Sequence, residues 1–420
     1  MNFLDLFAGA GGLSEGFLRA EFEPIAHIEM NSYACKTLET RASYYYLKNN
    51  NMMHLYKQYQ KTYHKKDNER EEKRKKLLSY IPEGIIEPII NEEISEKTLP
   101  QIFEMIDNRL DIMDNNEIDL IIGGPPCQAY SVVGRARDEN QMEDDPRNYL
   151  YKLYIRFLNR YKPKAFVFEN VPGILTAFNG NIFKNLQAYM KRVGYNIEAR
   201  KLNAKQFGVL QNRIRVIIIG WRKDLDFDYP DIGPENMNYL INDILNDLPK
   251  LKAGKAYKKF NYRENPNKYL LESNIRDRDD ILTHHIARPH IKRDLEIYKL
   301  AVTKWDKEKK RIKYTDLPEE LRNHKNLTSF LDRFKVVAGD EQYSHTVVAH
   351  ISKDGHHYIH PDIIQNRSIS VREAARVQSF PDDYYFEGPR TSNFVQIGNA
   401  VPPLMAEKIA NWFKEKLTQL

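Results

Sequence analysis

Cys127 stands in "LIIGGPPCQAYSVVGR", residues 120–135, after two glycines and two prolines that end an apolar run. The chain has only two cysteines in 420 residues, so they form no disulfide framework. The stiff, side-chain-poor corner holds this thiol at the carboxyl edge of a strand, where open parallel sheets place their ligands. A thiolate there is a nucleophile once a positive or polar neighbour lowers its pKa. Lone cysteines also serve as small buried hydrophobes. Cys35, in "NSYACKTL", fits that description; Cys127 fits it less well. It is followed by polar Gln128 and Ser131 and then by "GRARDENQMEDDPRN", a charged loop whose length and Gly134 suit a lid.

Two further groups accompany the thiol. Glu169, in "VFENVPGIL", ends the next strand and should emerge at the same edge, as a general acid, a substrate hydrogen-bond partner or a helix cap. Arg213 and Arg215, in "QNRIRV", fall on one face of a strand because side chains repeat every two residues. They offer an anion or carbonyl partner, or form a surface ion-pair face. At the amino terminus, "DLFAGAGGLSEGF" places glycines after a strand and before a helix. Such a turn permits close backbone approach by an anion, and Glu29, about 20 residues on, can hold ribose hydroxyls. An ordinary strand–turn–helix uses glycines the same way, and the spacing is not G-x-G-x-x-G. The histidines His284, His285, His290, His356, His357 and His360 lack a standard ligand spacing, so they are expected to be solvated or DNA-facing and no metal is expected.

These groups need a scaffold. "NFLDLF", "EPIAHIEM", "IDLIIGG", "KAFVFENV" and "IRVIIIGW" are apolar strand patterns alternating with helical stretches, which indicates a doubly wound α/β sheet, mostly parallel and covered on both faces. Residues 42–108 interrupt it with a polar insertion centred on "KKDNEREEKRKK", expected to be a solvated helix rather than a nucleic-acid patch. Residues 225–345 show no long apolar strand and look like a smaller, irregular second domain. In the last helix Met405, Ile409, Trp412, Phe413 and Leu417 recur at helical spacing, so it packs on something. The formal charge of +6 permits a polyanionic partner without establishing one. No stretch approaches the apolar length of a membrane span.

In order, "FLDLFAGAGGLSEGF", "GGPPCQAYS", "ENV", "QNRIRV", "SVREAARVQSFPDDY" and "QIGNAVPP" resemble the motif series of the DNA cytosine-5 methyltransferases, with the general look of the bacterial restriction–modification type, over residues 3–410. The resemblance implies a methyltransferase-type sheet in residues 1–224, a target recognition domain in 225–366, and a segment 367–420 that completes the catalytic domain. It implies an S-adenosyl-L-methionine site lined by Phe7, Ala8, Gly9, Gly11, Gly12, Leu13, Glu29, Met30, Asp111, Ile112, Pro126, Asn399 and Val401, with S-adenosyl-L-homocysteine as product. Met30 stands where the family often has a bulky aromatic. Cys127 would be the nucleophile, Glu169 would bond to the cytosine, Arg213 would contact that base and Arg215 would steady the catalytic loop. Gln128, Ser131, Arg135 and Arg137 would meet DNA. The partner would be double-stranded DNA, the protein a cytoplasmic, nucleoid-associated monomer, and a restriction endonuclease its genetic counterpart. A transfer-RNA substrate is disfavoured by the large variable domain, and an inactive DNA-binding regulator by the joint presence of Cys127, Glu169, Arg213 and Arg215.

Overall fold

The structure, a computed structural model, describes residues 1–114, 117–126, 149–233, 238–329 and 331–419. Its strands are β1 (Asn2–Leu6), β2 (Glu23–Ile28), β3 (Ile89–Ile90), β4 (Leu120–Gly123), β5 (Ala165–Asn170), β6 (Tyr195–Asn203), β7 (Gln211–Asn212), β8 (Ile214–Arg222) and β9 (Ser344–His345). Its helices are α1 (Gly12–Arg19), α2 (Ser32–Asn49), α3 (Met53–Gln60), α4 (Asp67–Leu78), α5 (Glu83–Ile86), α6 (Leu99–Ile112), α7 (Leu150–Tyr161), α8 (Asn181–Arg192), α9 (Lys268–Glu272), α10 (Lys292–Glu308), α11 (Val371–Val377), α12 (Arg390–Asn399) and α13 (Pro403–Thr418).

Among the described residues one sheet has the order β3-β2-β1-β4-β5-β8-β6. The first five strands run parallel; β8 is antiparallel to both β5 and β6. Strand order reverses between β1 and β4, and the crevice above such a reversal is where these sheets bind ligands. The central strands are almost wholly buried and mostly apolar because helices cover both faces. On one face α6, α7 and α8 contribute Ile102, Ile106, Tyr154, Leu158 and Leu186 to a common core. On the other, α1 and α13 pack Phe17 against Met405, Ile409 and Phe413. The helical stripe read from the last segment therefore finds its partner in α1.

Three expectations change. The stretch 42–108 is not a uniform insertion, because β3 and α6 belong to the sheet and its cover. The addition lies between α2 and β3. There α4 carries the charged run as a mostly solvated helix, and Tyr56, Tyr59, Tyr63 and Leu77 pack on Tyr44 and Tyr385. Second, the expected boundary at 367 does not divide the cores. Ile241, Ile244, Leu270 and Ile275 share one core with Ile369, Val371, Phe380, Phe394 and Ile397, while α10 centres a smaller one with Tyr314 and Phe334. Third, His284, His285 and His360 are buried rather than solvated or DNA-facing. The His285 ring bonds Ser370 Oγ (2.9 Å) and Pro249 O (2.8 Å), and His284 Nε2 bonds Phe386 O (2.9 Å).

Candidate functional site

The carboxyl ends of β1 and β2 converge on one carboxylate. After β1 the chain turns through Phe7 and Gly9, both at φ 57°, and the Ala8 N–H donates to Ile28 O (3.0 Å). The Gly9 N–H donates to Glu29 Oε2 (2.8 Å) and the Asn31 N–H to Oε1 (2.8 Å). Burial pushes the Glu29 carboxyl above its ordinary value, and these N–H donors oppose that. Asn31 then caps α2, its Oδ1 accepting from the N–H groups of Tyr33 and Ala34.

The glycines divide by purpose. A side chain at Gly9 would meet nothing within 4 Å, so this turn faces open space. At Gly12 a Cβ would lie 2.4 Å from Val401 O, and at Gly11 it would meet Leu38 and Tyr384. Leu13 is buried among Phe17 and Met405. Gly11 and Gly12 leave no room for a side chain, and the Leu13 side chain belongs to the core, so these positions could meet a ligand only through backbone. The contact at Gly12 does bring "GNAVPP" to the glycine turn, with Val401 buried against it and Asn399 exposed at the end of α12. Met30 is 62% exposed beside Glu29.

Asp111 and Ile112 do not join this site. They end α6, both exposed, Ile112 at 69%. A crossover helix runs antiparallel to its strands, so its end lies at the amino edge of the sheet, opposite the crevice. The residues beside Glu29 come instead from the turn after β3. Asn91 Nδ2 donates to the carbonyls of Glu29 (3.0 Å) and Met30 (3.1 Å), and half-buried Glu92 follows. The acidic "NEEISE" after "II" was the available signal, obscured because β3 pairs through only two residues.

The second half of the site lies at the ends of β4 and β5. Gly123 sits at φ 148°, and a Cβ there would lie 2.1 Å from Leu6 O. At Gly124 a Cβ would lie 2.7 Å from both Glu169 O and Glu169 Oε2. Only glycine lets the two strand ends approach so closely. Asn170 Nδ2 donates to Pro125 O (3.2 Å), fixing the corner, and Pro126 is exposed at its tip. Cys127, Gln128, Ser131, Arg135 and Arg137 lie outside the described residues. Glu169, with a side chain 14% exposed, forms an ion pair with Arg215 (Nε to Oε1, 2.8 Å).

The two arginines differ from expectation. Arg213 is fully buried, and its terminal nitrogens donate to the carbonyls of Val347, Gly398 and Ala400. With those donors committed to backbone, Arg213 has no path to a base. Arg215, not Arg213, shares a contact with Glu169 and stands at the crevice.

The order β3-β2-β1-β4-β5-β8-β6, parallel but for β8, is that of the methyltransferase class of doubly wound α/β proteins. The chain belongs to the C-5 cytosine-specific DNA methylase family, whose model matches residues 1–69 and 87–415. The unmatched 70–86 falls in the α4–α5 addition. The chain is 42% identical to the type II methyltransferase M.Bpa9945I of Bacillus paralicheniformis, covering 99% of both chains. It is 30% identical to the type II methyltransferase M.DdeI of Desulfomicrobium norvegicum, covering 99% of this chain and 90% of that one. Among solved structures, a prophage-encoded E. coli protein described as a DNA modification methyltransferase shares the fold, with TM-score 0.62, 23% identity and coverage of 100% and 99%.

Proposed function

We propose that the protein is an S-adenosyl-L-methionine-dependent DNA methyltransferase of a bacterial restriction–modification system, acting in the cytoplasm on C5 of a cytosine within a short duplex sequence. The observation that carries this reading is the pairing of Glu169 with Arg215 directly beside the Gly124–Pro125 corner that leads into Cys127. The type II relatives point to the same biological role.

The donor set fits an adenosine-containing cofactor. Glu29 keeps accepting capacity beyond its two backbone donors for a ribose diol, Gly9 leaves open space, and exposed Met30 offers an apolar face for a purine. Phe7, Ala8, Pro126, Asn399 and Val401 would complete the enclosure. When bound, S-adenosyl-L-methionine supplies an electrophilic methyl group and departs as S-adenosyl-L-homocysteine.

The chain's own residues do the rest. Cytosine C5 is a poor nucleophile until the Cys127 thiolate adds to C6 and gives C5 enamine character. Glu169 donates a proton at the ring nitrogen, so the electron pair displaced by the thiolate does not build charge on the base. Arg215 holds the Glu169 carboxyl and adds a donor toward the cytosine carbonyl. C5 then takes the methyl group; loss of the C5 proton to a base re-forms the C5–C6 double bond and expels the thiolate, and the ring nitrogen returns its proton to Glu169. The target must leave the base stack, at a cost of about a few kcal/mol, and the segment after Cys127, with Gln128, Ser131, Arg135 and Arg137, would hold the DNA around it. Residues 225–366 would read the sequence through major-groove contacts. The protein would act as a monomer, with its endonuclease a genetic rather than physical partner.

Incubation with unmethylated duplex DNA and S-adenosyl-L-methionine, followed by bisulfite sequencing, tests the reading. Protection of cytosines in one short motif is expected, and none with Cys127→Ser. Unprotected DNA after cofactor binding has been demonstrated would overturn it.

A further inference from the structure

Three segments far apart in sequence meet at one buried guanidinium. Arg213 Nη1–H donates to Val347 O (2.6 Å), and Nη2–H to Gly398 O (3.1 Å) and Ala400 O (2.9 Å). Gln211, also buried, repeats the arrangement. Its amide nitrogen donates to Val377 O (2.9 Å) and Gln378 Oε1 (2.6 Å), and its Oε1 accepts from the Val347 N–H (2.9 Å). Gln378 in turn donates to Ile397 O (2.8 Å) and Ala400 O (3.1 Å).

The outer bonds follow the same path. β7 and β9 pair in parallel, Gln211 with Ser344 and Asn212 with His345, and Thr346 Oγ1 donates to Asn212 O (2.7 Å). Gly398 closes the arrangement: a Cβ there would sit 2.3 Å from Ala349 N, so the 398–400 turn rests directly on the 348–349 backbone.

The segments belong to different ligands. Residues 344–348 are part of the region assigned to sequence recognition. Residues 398–401 carry exposed Asn399 and place Val401 O over Gly12 at the cofactor turn. Arg215, two residues along the same chain, holds Glu169. A guanidinium is a rigid planar fork of donors, so its three carbonyls keep fixed relative positions while all three bonds last. In a dry site, moving one segment away strands a buried donor and acceptor, and the cost falls on the other segment too.

We infer that Arg213 is a positioning residue that couples the recognition strand 344–348 to the cofactor-side turn 398–401, so that filling either site raises the affinity of the other. This deepens the proposed function and rests on its reading of the two sites. Such coupling is reciprocal: duplex DNA and S-adenosyl-L-homocysteine change each other's affinity by one shared factor.

The test is calorimetric titration of the full chain with S-adenosyl-L-homocysteine and with a duplex carrying the methylated motif, each with and without the other. The native protein is expected to show a coupling factor of about fivefold or more, the lower end of typical values. Arg213→Gln is expected to bring the factor close to one. Arg213→Lys keeps the charge but cannot span three carbonyls, and should fall between. If the Arg213 variants do not fold, Thr346→Val removes a single strap bond on a half-buried side chain and should lower the factor by itself. A factor of one in the native protein, or a native factor retained in the folded variants, overturns the inference while leaving the activity standing. Failure of the native chain to bind either ligand overturns the proposed function and this inference with it.

Discussion

At the scale of single residues, Glu169 has one carboxylate oxygen committed to Arg215, and the other faces Gly124 so closely that a Cβ there would collide with it. In the proposed reaction this carboxyl moves a proton at the base, so it is sensitive to loss of that proton and to displacement. Glu169→Gln keeps the shape and the contact with the strand but removes the acid. Single-turnover methyl transfer should fall about 10²- to 10⁴-fold, the usual contribution of general acid–base catalysis, with cofactor binding retained. Gly124→Ala pushes against backbone at 2.7 Å as well as against the carboxylate. It should lower activity and cost about 1–3 kcal/mol of stability, the usual penalty of overpacking, measured by urea denaturation. Strand alternation predicts one face for Arg213 and Arg215, but Arg213 falls in the break between β7 and β8, where that repeat does not hold. The sequence could not show which one faced the crevice. That depends on carbonyls of Val347, Gly398 and Ala400, 134 residues and more away.

At the scale of elements, the strongest sequence signals were long and apolar. β1, β4, β5 and β8 follow from continuous hydrophobic runs, and α13 from its helical stripe. What escaped notice was short or half-solvated. β3 has two residues, and β6 is an edge strand with little full burial, so neither carries a periodic pattern. With β3 unseen, the resemblance carried Asp111 of "LDIMD" into the expected pocket, although it ends α6. The α1–α13 contact is tight enough to probe. At Gly16 a Cβ would lie 2.3 Å from Glu407 N, and Phe413 is fully buried against Phe17. Gly16→Ala should destabilise by about 1–3 kcal/mol through overpacking, and Phe413→Ala by about 3–5 kcal/mol through the cavity it leaves. Both are measurable as shifts in the denaturation midpoint at constant slope.

At the scale of the whole molecule, the second core is stitched by charges taken out of water. Arg376 is fully buried between Asp247 and Asp382, and Arg367 donates to both oxygens of Glu373. Burial alone would raise the Glu373 carboxyl, yet the Arg367 guanidinium and His360 hold it well below the carboxylate range. Its contribution is therefore retained until strongly acid pH. The histidines set an earlier limit. Burial lowers His284 to about 3 and His285 to about 4, so both fold neutral. An unfolded histidine titrates near 6.5, so below that pH the unfolded chain binds more protons than the folded one. Stability should thus fall as pH drops from about 6.5 toward 4, with an uptake on unfolding approaching two protons from this pair, and should be insensitive to them above about pH 7.5. A series of thermal denaturations across that range checks the sign and the window. Composition could not reveal this, because "HHIARPH" reads as polar and only the tertiary core shows it enclosed.

The pairing of α1 with α13 also has a consequence in time. A ribosome delivers Phe3, Phe17 and the strand faces beneath them almost 400 residues before Met405, Ile409 and Phe413. Until the last helix leaves the exit tunnel, α1 covers that side of the sheet without its partner, and the apolar surface left open must be shielded by chaperones or by transient contacts. Stopping translation before Pro403 should therefore yield aggregated protein, even though every strand of the sheet has been made. Supplying residues 403–420 as a separate peptide during refolding should recover soluble material, read as the fraction remaining after centrifugation.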